Sequence, residues 1–378
     1  MVASSVLTGA QSRLVASARE LTKVISTAKP GDTIFIADGT YDSWVVSLDS
    51  HGREGQPISI LPLNTDGVTF TGRTHFLFSG RHIYFKGFLF DHCDHEDSPI
   101  ELAQSKNCRI ETCSFQNGGG RKAVITIESG SQENTIEGCR FINITGRSIN
   151  LRITESYKKL GIPFGNIIRN NHFQDIPPIG GNGRETIKIG QDQPTYGHVK
   201  VGTLVEGNTF LRCNGEAEII SNKCSENIYR RNTFTDCNGE IVMRGGAYCR
   251  IEANRLVNCR GGIRLSGAHH QVSDNVIIDS RGTGIRLLFG MTKEQGGHYQ
   301  AAGNCMIENN TIINAAGPGI LIGDGKDKDW NEKGIQNVAP TGNHFRNNLI
   351  IGQSLETFIV THTPDNLLEG NSFQKIPD

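Results

Sequence analysis

The sequence lacks the features that mark a membrane protein or a zinc protein. No stretch reaches the roughly 20 consecutive apolar residues that a helix needs to cross a bilayer, and the ten cysteines include no Cys-x-x-Cys pair. Charge of one sign is not in excess either, because 38 Lys and Arg residues stand against 39 Asp and Glu residues. A chain with a net charge of −1 does not bind nucleic acid through bulk positive charge. We therefore expect no membrane span and no nucleic-acid partner.

Glycine is abundant, with 45 among 378 residues, and it accompanies a short internal repeat. Each copy has an apolar anchor residue and a second apolar residue five positions earlier. The anchors are Phe90, Phe115, Phe141, Phe173, Phe210, Phe234, Leu256, Ile277, Ile312, Ile350 and Phe373. Copies without insertions are 21 to 26 residues apart, which is too short for a unit that folds alone. The copies must therefore stack on one another to bury their apolar faces.

Asparagine recurs at two further positions of the repeat. Two residues before the anchor stand Asn171, Asn208, Asn232, Asn254, Asn275, Asn310, Asn348 and Asn371. Seven residues before it stand Asn134, Asn166, Asn227, Asn343 and Asn366. Stacked asparagines can hydrogen-bond along a solenoid axis, and asparagine tolerates the left-handed backbone of tight turns. The pattern predicts an all-β fold, a parallel β-helix solenoid of about eleven or more coils that forms a single domain over residues 1–378.

The open ends of a solenoid need caps, and the sequence supplies one at the start. Ser17 and Glu20 form a capping box, and apolar residues follow at helical spacing as far as Pro30-Gly31. We predict an N-terminal capping helix over residues 17–29. Longer gaps between repeats mark loop insertions, which usually wall a groove on a repeat protein. These insertions fall at 152–164, 191–200, 289–303 and 323–341.

Four cysteines share one phase of the repeat, three residues after the anchor. They are Cys93, Cys213, Cys237 and Cys259. We expect them to form a core column of buried free thiols. A disulfide between neighbouring coils is the alternative.

Charged residues concentrate in two successive repeats. Glu216 and Glu218 lie on one face of a predicted strand, Lys223 follows that strand, and Arg244 lies in the next repeat. Counting from the anchors gives Asn222 the same phase as Arg244. We therefore expect Lys223 and Arg244 to be neighbours across one coil step.

Asn182 and Glu185, one repeat upstream, add an amide and a carboxylate that can reach the same place. Carboxylates about 7 Å apart on one strand repel each other unless a cation lies between them. Together with a lysine and an arginine, such a set suits removal of a proton alpha to a carboxylate. Calcium bound by Glu216, Glu218 and Asn182 would stabilise the developing enolate, and Lys223 would be the base. A guanidinium is a poor proton donor, so neutralising the intermediate or orienting the leaving oxygen is easier for the arginine. A row of surface ion pairs is the alternative interpretation.

Five segments around these residues and near the start of the chain carry a family resemblance. They are PGDTIFIADGTY (30–41), GQPISILP (55–62), NGRETIKIG (182–190), EAEIISNKCSENIYRRNTF (216–234) and EIVMRGG (240–246). These segments resemble those of polysaccharide lyase family 6, the alginate lyases and chondroitinase B. The resemblance extends over nearly the whole length of the chain. The resemblance implies a right-handed β-helix that cleaves acidic polysaccharide by β-elimination.

The resemblance also implies roles for individual residues. Lys223 would be the base and Arg244 the acid. The implied calcium ligands are Asn182, Glu216 and Glu218, with Glu185 nearby. The family commonly carries a histidine after the catalytic arginine, whereas Gly245 stands here. A cationic side chain near the substrate carboxylate could replace the metal, and the candidates are Lys188, Arg184 and Arg212.

Substrate contacts are expected from the middle repeats, because residues 181–290 hold 14 Lys or Arg against 11 Asp or Glu. Such a local basic excess suits a polyanion. The residues that we predict to bind substrate are Arg184, Lys188, Arg264, His269 and Arg286. For Arg264 a surface ion pair is the alternative, and His270, in an asparagine column, is expected to have a structural role. His298 and Tyr299, on an insertion, either fold over the substrate or belong to a plain loop.

The sequence thus predicts an endo-acting lyase that cleaves alginate, an acidic polysaccharide, with Ca²⁺ as the cofactor. A dermatan sulfate lyase ranks second, and a uronan C5-epimerase and a non-catalytic glycan-binding β-helix are further alternatives. The first ten residues, MVASSVLTGA, lack the basic start and the apolar stretch of a signal peptide. Because alginate lies outside the cell or in the periplasm, we expect a secreted or periplasmic protein whose signal peptide has been removed.

Overall fold

Three long parallel β-sheets run along the protein. The computed structural model describes residues 10–178, 180–292, 298–331, 334–355 and 358–376. Within these residues the chain visits the three sheets in turn, so each coil adds one strand to each sheet.

The first sheet has 14 strands: Ser12–Val15, Thr33–Ile36, Ile58–Pro62, Ile83–Lys86, Arg109–Glu111, Thr135–Glu137, Ile167–Arg169, Leu204–Glu206, Ile228–Arg230, Arg250–Glu252, Gln271–Ser273, Met306–Glu308, His344–Arg346 and Leu367–Glu369. The second has 13: Gly39–Asp42, Val68–Gly72, Leu89–Cys93, Ser114–Gln116, Arg140–Ile142, His172–Ile176, Thr209–Cys213, Thr233–Thr235, Arg255–Val257, Val276–Ile278, Thr311–Ile313, Leu349–Gly352 and Ser372–Lys375. The third has 12: Val45–Leu48, His75–Phe78, Ile100–Leu102, Ile125–Ile127, Ile149–Leu151, Ile187–Ile189, Glu218–Asn222, Glu240–Ala247, Ile263–Ala268, Ile285–Leu288, Ile320–Asp324 and Ile359–Thr361. Twelve coils therefore contribute to all three sheets, and the predicted right-handed parallel β-helix is confirmed.

Stacking of like residues from coil to coil builds the core. Phe115 lies in register between Phe90 and Phe141 in the second sheet, and their rings stack at centroid distances of 4.8 and 5.1 Å. The same stack continues through Phe210 to Phe234. Each fully buried side chain of this size contributes about 1.5–3 kcal/mol to folding. The anchor positions of the repeat are thus the apolar interior of the solenoid.

A ladder of buried asparagines joins the turns between the first and second sheets. The side-chain Nδ2 of Asn171 donates to Oδ1 of Asn208 at 3.0 Å, and Asn208 donates in the same way to Asn232 at 2.9 Å. Asn232 continues the ladder to Asn254 at 3.0 Å. The left-handed backbone of the turn lies one residue earlier, for example at Asn170 with a φ of 55°. The column therefore satisfies buried polar groups and does not supply the left-handed angle that we expected of it.

A helix packs on the first complete coil. It spans Ala18–Ile25, and the hydroxyl of Ser17 accepts a hydrogen bond from the backbone N–H of Glu20 at 3.2 Å. Two of its apolar side chains are buried in the core. The helix is shorter than the predicted 17–29, because the hydroxyls of the two residues that follow it bond to carbonyls of its last turn.

Two one-turn helices occur in the predicted insertions. Tyr157–Leu160 lies in the insertion at 152–164, and Gln193–Tyr196 lies in the one at 191–200. Among the residues that the structure describes, no helix combines the length and the apolar character that crossing a membrane requires.

The two later insertions both begin where a strand of the third sheet ends, on the same side of the solenoid. The insertion predicted at 323–341 begins after the strand Ile320–Asp324, so its first two residues belong to the sheet. Residues 293–297 of the insertion at 289–303 lie outside the described residues, as do 332–333.

All ten cysteines are buried and carry free thiols. Within the predicted column, the backbone N–H of Cys213 donates to Sγ of Cys237 at 3.4 Å. Burial raises the pKa of Cys93 to about 12, so this thiol stays protonated at neutral pH and acts as a small apolar core group.

Candidate active site

A bulge in the third sheet brings Lys223 next to Arg244. The strand before Lys223 pairs with the strand that carries Arg244, and the register shifts near the start of the pairing. As a result Asn222 lies opposite Met243, so the residues that follow these two are neighbours. The expected match of Asn222 with Arg244 is wrong by one residue, because spacing between anchors does not reveal a bulge.

Three glutamates form a compact acidic cluster beside this pair. One carboxylate oxygen from each of Glu185, Glu216 and Glu218 lies within 4.8 Å of the others. Glu185 and Glu218 are buried, and Glu216 is half-buried. The backbone N–H groups of Gly183 and Arg184 donate to Oε2 of Glu216 at 2.9 and 2.8 Å. These two bonds fix the direction in which the Glu216 carboxylate points.

Glu185 is surrounded by three cationic side chains. Nε of Arg147 lies 2.8 Å from Oε2, and the Nζ atoms of Lys188 and Lys223 each lie 3.8 Å from Oε1. Burial raises the pKa of the Glu185 carboxyl, but the charges of Lys188 and Arg147 outweigh it, so this pKa lies below its ordinary value. Glu185 is therefore an ionised carboxylate at neutral pH.

Glu218 is held by two guanidinium groups and a hydroxyl. Oε1 pairs with Arg264 and lies 3.8 Å from Nη1 of Arg244, and Oε2 accepts a hydrogen bond of 2.6 Å from Ser221. Burial raises the pKa of Glu218, but the two arginines lower it further than that, so it lies below the ordinary value. Glu216 differs, because burial and the neighbouring carboxylates raise its pKa.

Lys223 lies in an environment that favours its neutral amine. Burial and the positive charge of Lys188 lower its pKa to about 8, and the attraction of Glu185 offsets this only in part. A lysine amine must be neutral to accept a proton, so this shift suits a general base that works near neutral pH.

Arg244 is held by Tyr299, an aromatic side chain from the insertion at 289–303. Its Nη2 donates to Oη of Tyr299 at 3.0 Å, and its guanidinium carbon lies 5.1 Å from the centre of the Tyr299 ring. Tyr299 in turn stacks on Trp330 at 4.9 Å. The insertions at 289–303 and 323–341 thus meet beside the arginine.

These elements enclose a polar cavity of about 360 Å³. It is lined by Arg147, Asn182, Gly183, Lys188, Gln191, Asp192, Gln193, Pro194, Lys223, Arg244, His298 and Tyr299. A Cβ atom on Gly245 would lie 1.9 Å from Cγ of Gln193, so a side chain at position 245 requires the Gln193 side chain to move. The histidine that the family commonly carries at this position would displace the Gln193 side chain.

The predicted substrate contacts divide into those at the cavity and those away from it. Lys188 lines the cavity, and Arg184 lines an adjacent cavity of about 560 Å³, where its Nη1 donates to the carbonyl of Thr145 at 3.0 Å. His269 lies in the turn after the third sheet, with its ring stacked on Tyr248 at 4.8 Å.

The remaining arginines of the prediction form ion pairs. Arg264 pairs with Glu218, and Arg286 pairs with Glu240 and Asp324 at 2.5 and 2.8 Å. On the second sheet, Arg212 pairs with Asp175 at 2.5 Å. His270 is buried and accepts from the backbone N–H of Cys249 through Nδ1 at 3.2 Å, as a structural turn residue does.

Arg147 and Gln193 are two of the residues at the site that were not among the predictions. Arg147 contacts Glu185, and the spacing of the repeat could have predicted this contact. Ile149 pairs with Ile187, and Arg147 and Glu185 each stand two residues before these strand residues, so they share a phase. Gln193 lies in an insertion, where phase does not predict contacts.

The donor set fits a Ca²⁺ ion. Calcium prefers carboxylate and amide oxygens at 2.3–2.6 Å, so two oxygens on one ion are at most about 5 Å apart. The oxygens of Glu185, Glu216 and Glu218 meet this limit. Asn182 is exposed at the cavity wall and offers an amide oxygen from the same loop as the two N–H donors to Glu216.

Comparison with known proteins agrees with this geometry. The family model described as chondroitinase B matches residues 15–376. The chain belongs to this family, polysaccharide lyase family 6. The family resemblance of the sequence is confirmed.

Solved structures of family 6 lyases share the fold. The alginate lyase AlyGC is 25% identical with a TM-score of 0.85 over 97% of this chain and 53% of that one, so this chain spans about half the length of AlyGC. A mannuronic-acid-specific family 6 lyase from human gut microbiota is 23% identical, with a TM-score of 0.82 over 97% and 92% of the two chains. A family 6 alginate lyase in complex with a trisaccharide is 17% identical, with a TM-score of 0.71 over 98% and 86%. No match to a curated protein sequence was found.

Proposed function

We propose that this family 6 lyase cleaves alginate by β-elimination. The observation that carries the proposal is the juxtaposition of Lys223 and Arg244 beside buried carboxylates, at the wall of a polar cavity. A base, a fixed positive charge and oxygen ligands are the three components that removal of a proton alpha to a carboxylate requires.

Lys223 is the base of the proposed reaction. The C5 proton of a uronate is weakly acidic, because the adjacent carboxylate resists further negative charge. With a pKa of about 8, roughly a tenth of the Lys223 amine is neutral at pH 7. That neutral fraction accepts the C5 proton, and the buried position of the amine keeps water from competing for it.

Arg244 supplies the positive charge on the leaving side of the reaction. Its guanidinium lies beside the base and is oriented by Glu218 and Tyr299. A fixed guanidinium stabilises the negative charge that develops on the enolate or on the leaving oxygen without having to lose a proton.

Glu185, Glu216, Glu218 and Asn182 are the residues that we propose for Ca²⁺. When bound, the ion would neutralise the uronate carboxylate and so stabilise the negative charge that forms next to it. Glu216 supports this assignment, because its raised pKa reflects burial without a paired cationic side chain. A nearby bound cation is what would favour the ionised form of such a group.

We propose alginate rather than dermatan sulfate as the substrate because the arginines of the third sheet are paired with carboxylates. Recognition of sulfate needs arginines with free N–H groups. Arg264 pairs with Glu218, and Arg286 pairs with Glu240 and Asp324. These carboxylates compete with a sulfate group for the guanidinium groups along this sheet.

Incubation with polyguluronate, polymannuronate and dermatan sulfate tests the proposal. Each β-elimination leaves an unsaturated uronate, which absorbs in the near ultraviolet. We expect absorbance to rise with at least one of the two alginate polymers. If absorbance rises with neither, the proposal is wrong. NMR of the polymer separates a C5-epimerase, which inverts the uronate without cutting, from a binding protein, which changes nothing.

We also propose that the protein acts outside the cytoplasm, as a secreted or periplasmic enzyme. Alginate is a polymer found in these places, so a lyase that degrades it must reach them.

A further inference from the structure

A second cavity adjoins the proposed active site on the side of the earlier coils. Its volume is about 560 Å³, and it shares Arg147, Asn182 and Gly183 with the wall of the first cavity. The rest of its wall consists of Glu96, Gly120, Arg121, Thr145 and Arg184. The two cavities therefore form one groove, with Lys223 and Arg244 at one end.

Three arginines in the second cavity come from three successive coils. They are Arg121, Arg147 and Arg184. Each stands two to four residues before a strand of the third sheet, and these paired strands are Ile125–Ile127, Ile149–Leu151 and Ile187–Ile189. Neighbouring coils are about 4.8 Å apart, so the arginines form a row of about 10 Å along the solenoid. The next strand of the sheet leads to Lys223, so the row begins beside the proposed base.

Two of these arginines are free to bind an anion. Arg121 is exposed, and Arg184 is half-buried and donates from Nη1 to the carbonyl of Thr145 at 3.0 Å. Neither has a carboxylate partner among the residues that the structure describes. In the later coils, by contrast, Arg264 and Arg286 both pair with carboxylates. Unpaired positive charge therefore continues from the active site toward the earlier coils.

Arg147 connects the two cavities. Its Nε binds Oε2 of Glu185 at 2.8 Å, which leaves its terminal nitrogens at the groove. Nη2 lies close against the backbone of Gly183, where a Cβ atom would lie 2.4 Å from it. Gly183 also has a φ of 91°, which favours glycine. Three arginines against Glu96 give the wall of the second cavity a formal charge of +2.

On the basis of the proposed lyase activity, we propose that Arg121, Arg147 and Arg184 bind the carboxylates of the uronates that lie next to the one that is cleaved. A polyuronate carries one carboxylate on every sugar, so a row of fixed cations along the groove meets successive charges of one chain. A guanidinium binds a carboxylate through two parallel N–H bonds, which fixes position as well as charge. The bound polymer thus extends from Lys223 over the earlier coils.

Calorimetry with trimers and hexamers of mannuronate and of guluronate tests this site. The protein is the Lys223→Ala variant, which lacks the proposed base and so keeps its ligand intact. We expect a hexamer to bind about tenfold or more tightly than a trimer, because only the hexamer reaches the whole row and hydrogen bonds to charged groups are strong. Adding Arg121→Gln and Arg184→Gln should remove this gain. Arg121→Gln alone, a change at an exposed side chain, should remove part of it.

The matched control is Arg255→Gln, which replaces an exposed arginine on the second sheet and should keep the gain. Equal thermal midpoints of all these variants show that the fold is intact. A second control is β-1,4-mannohexaose, which has the linkage of a mannuronate hexamer but no carboxylates and should not bind.

The outcomes separate this proposal from the one on which it rests. A hexamer that binds no more tightly than a trimer, a gain that survives both arginine substitutions, or mannohexaose binding as tight as that of the uronate would overturn the proposed site. A wild-type protein that cleaves neither alginate polymer would instead overturn the lyase assignment.

Discussion

Nζ of Lys223 and Nζ of Lys188 each lie 3.8 Å from the same atom, Oε1 of Glu185. One carboxylate oxygen thus gathers two amines, and Arg147 holds the other oxygen of that carboxylate. The shared carboxylate does not neutralise both amines, so the repulsion between them adds to burial and lowers the pKa of Lys223 to about 8. Glu185 and Lys188 therefore set the protonation state of the proposed base.

The pH dependence of the rate follows from this arrangement. Below the pKa of Lys223 the amine is protonated and cannot act as a base, so kcat should rise with pH through an acid limb near pH 8. Lys188→Gln removes the repelling charge and leaves Glu185 more available to Lys223, which moves the limb to higher pH. A limb that moves by one pH unit lowers the rate at pH 7 about tenfold.

The control for that experiment is Lys106→Gln, a half-buried lysine that pairs with Glu133 on the solenoid surface. Its pH profile should match that of the wild type. A Lys188→Gln limb that stays in place or moves to lower pH would contradict the assignment of Lys223 as the titrating base.

Calcium should stabilise the folded protein through the acidic cluster. Binding to the native state alone raises the unfolding free energy by about 2.7 kcal/mol at 100 times the dissociation constant, so the thermal midpoint should rise on titration with CaCl₂. Glu216→Gln removes a proposed ligand and should abolish this rise. Glu137→Gln, a half-buried glutamate of the first sheet that pairs with Arg109 and Arg169, should keep it. Identical calcium responses of the two variants would rule out the cluster as the site.

A side chain at position 245 should destabilise the protein while Gln193 is present. A methyl group on Gly245 would lie 1.9 Å from Cγ of Gln193, so Gly245→Ala should lower the free energy of unfolding by about 1–3 kcal/mol. Adding Gln193→Ala should restore that loss, because it removes the atoms in conflict. Gly352→Ala is the control, since its new methyl group meets only an ordinary contact at 3.7 Å. Urea denaturation of the wild type and the three variants measures this, and a double variant no more stable than Gly245→Ala would refute the explanation.

The asparagine ladder should contribute strongly to stability. Asn254 accepts hydrogen bonds from the backbone and side chain of Asn232, and it donates to the carbonyl of Tyr229 and to Asn275, all at 2.9–3.0 Å. Asn254→Ala leaves several buried groups unsatisfied and should cost about 3 kcal/mol or more. The exposed Asn238→Ala should change stability by less than about 0.5 kcal/mol. Equal urea midpoints for the two variants would show that the ladder is not stabilising.

The repeat predicted the fold because stacking makes register visible in a sequence. Phe115 pairs with both Phe90 and Phe141 at the positions that the spacing indicates, since each coil places equivalent residues above one another. Counting along the repeat predicted the wrong partner for Asn222, because a bulge adds one residue there and nothing in the sequence indicates the bulge. Helix length failed for a local reason, because hydroxyls after Ile25 bond to the last turn.

The site was predictable where its residues belong to coils and was not where they belong to insertions. Lys223, Arg244 and the glutamates lie in or beside strands of the third sheet, so phase brings them together. Gln193 and Trp330 come from insertions whose path depends on tertiary packing, and spacing carries no information about what they touch. For Tyr299 the sequence predicts either a residue that folds over the substrate or a plain loop, and only the structure shows its bond to Arg244.

The rate of the Lys223→Ala variant on alginate tests the central claim most directly. Loss of a general base typically costs 10²- to 10⁴-fold in rate, so the initial rise in near-ultraviolet absorbance should fall to about a hundredth of the wild-type rate or less. Its thermal midpoint should stay close to that of the wild type, which shows that the loss is chemical. A folded Lys223→Ala protein that keeps more than about a tenth of the wild-type rate would contradict the assignment of this lysine as the base.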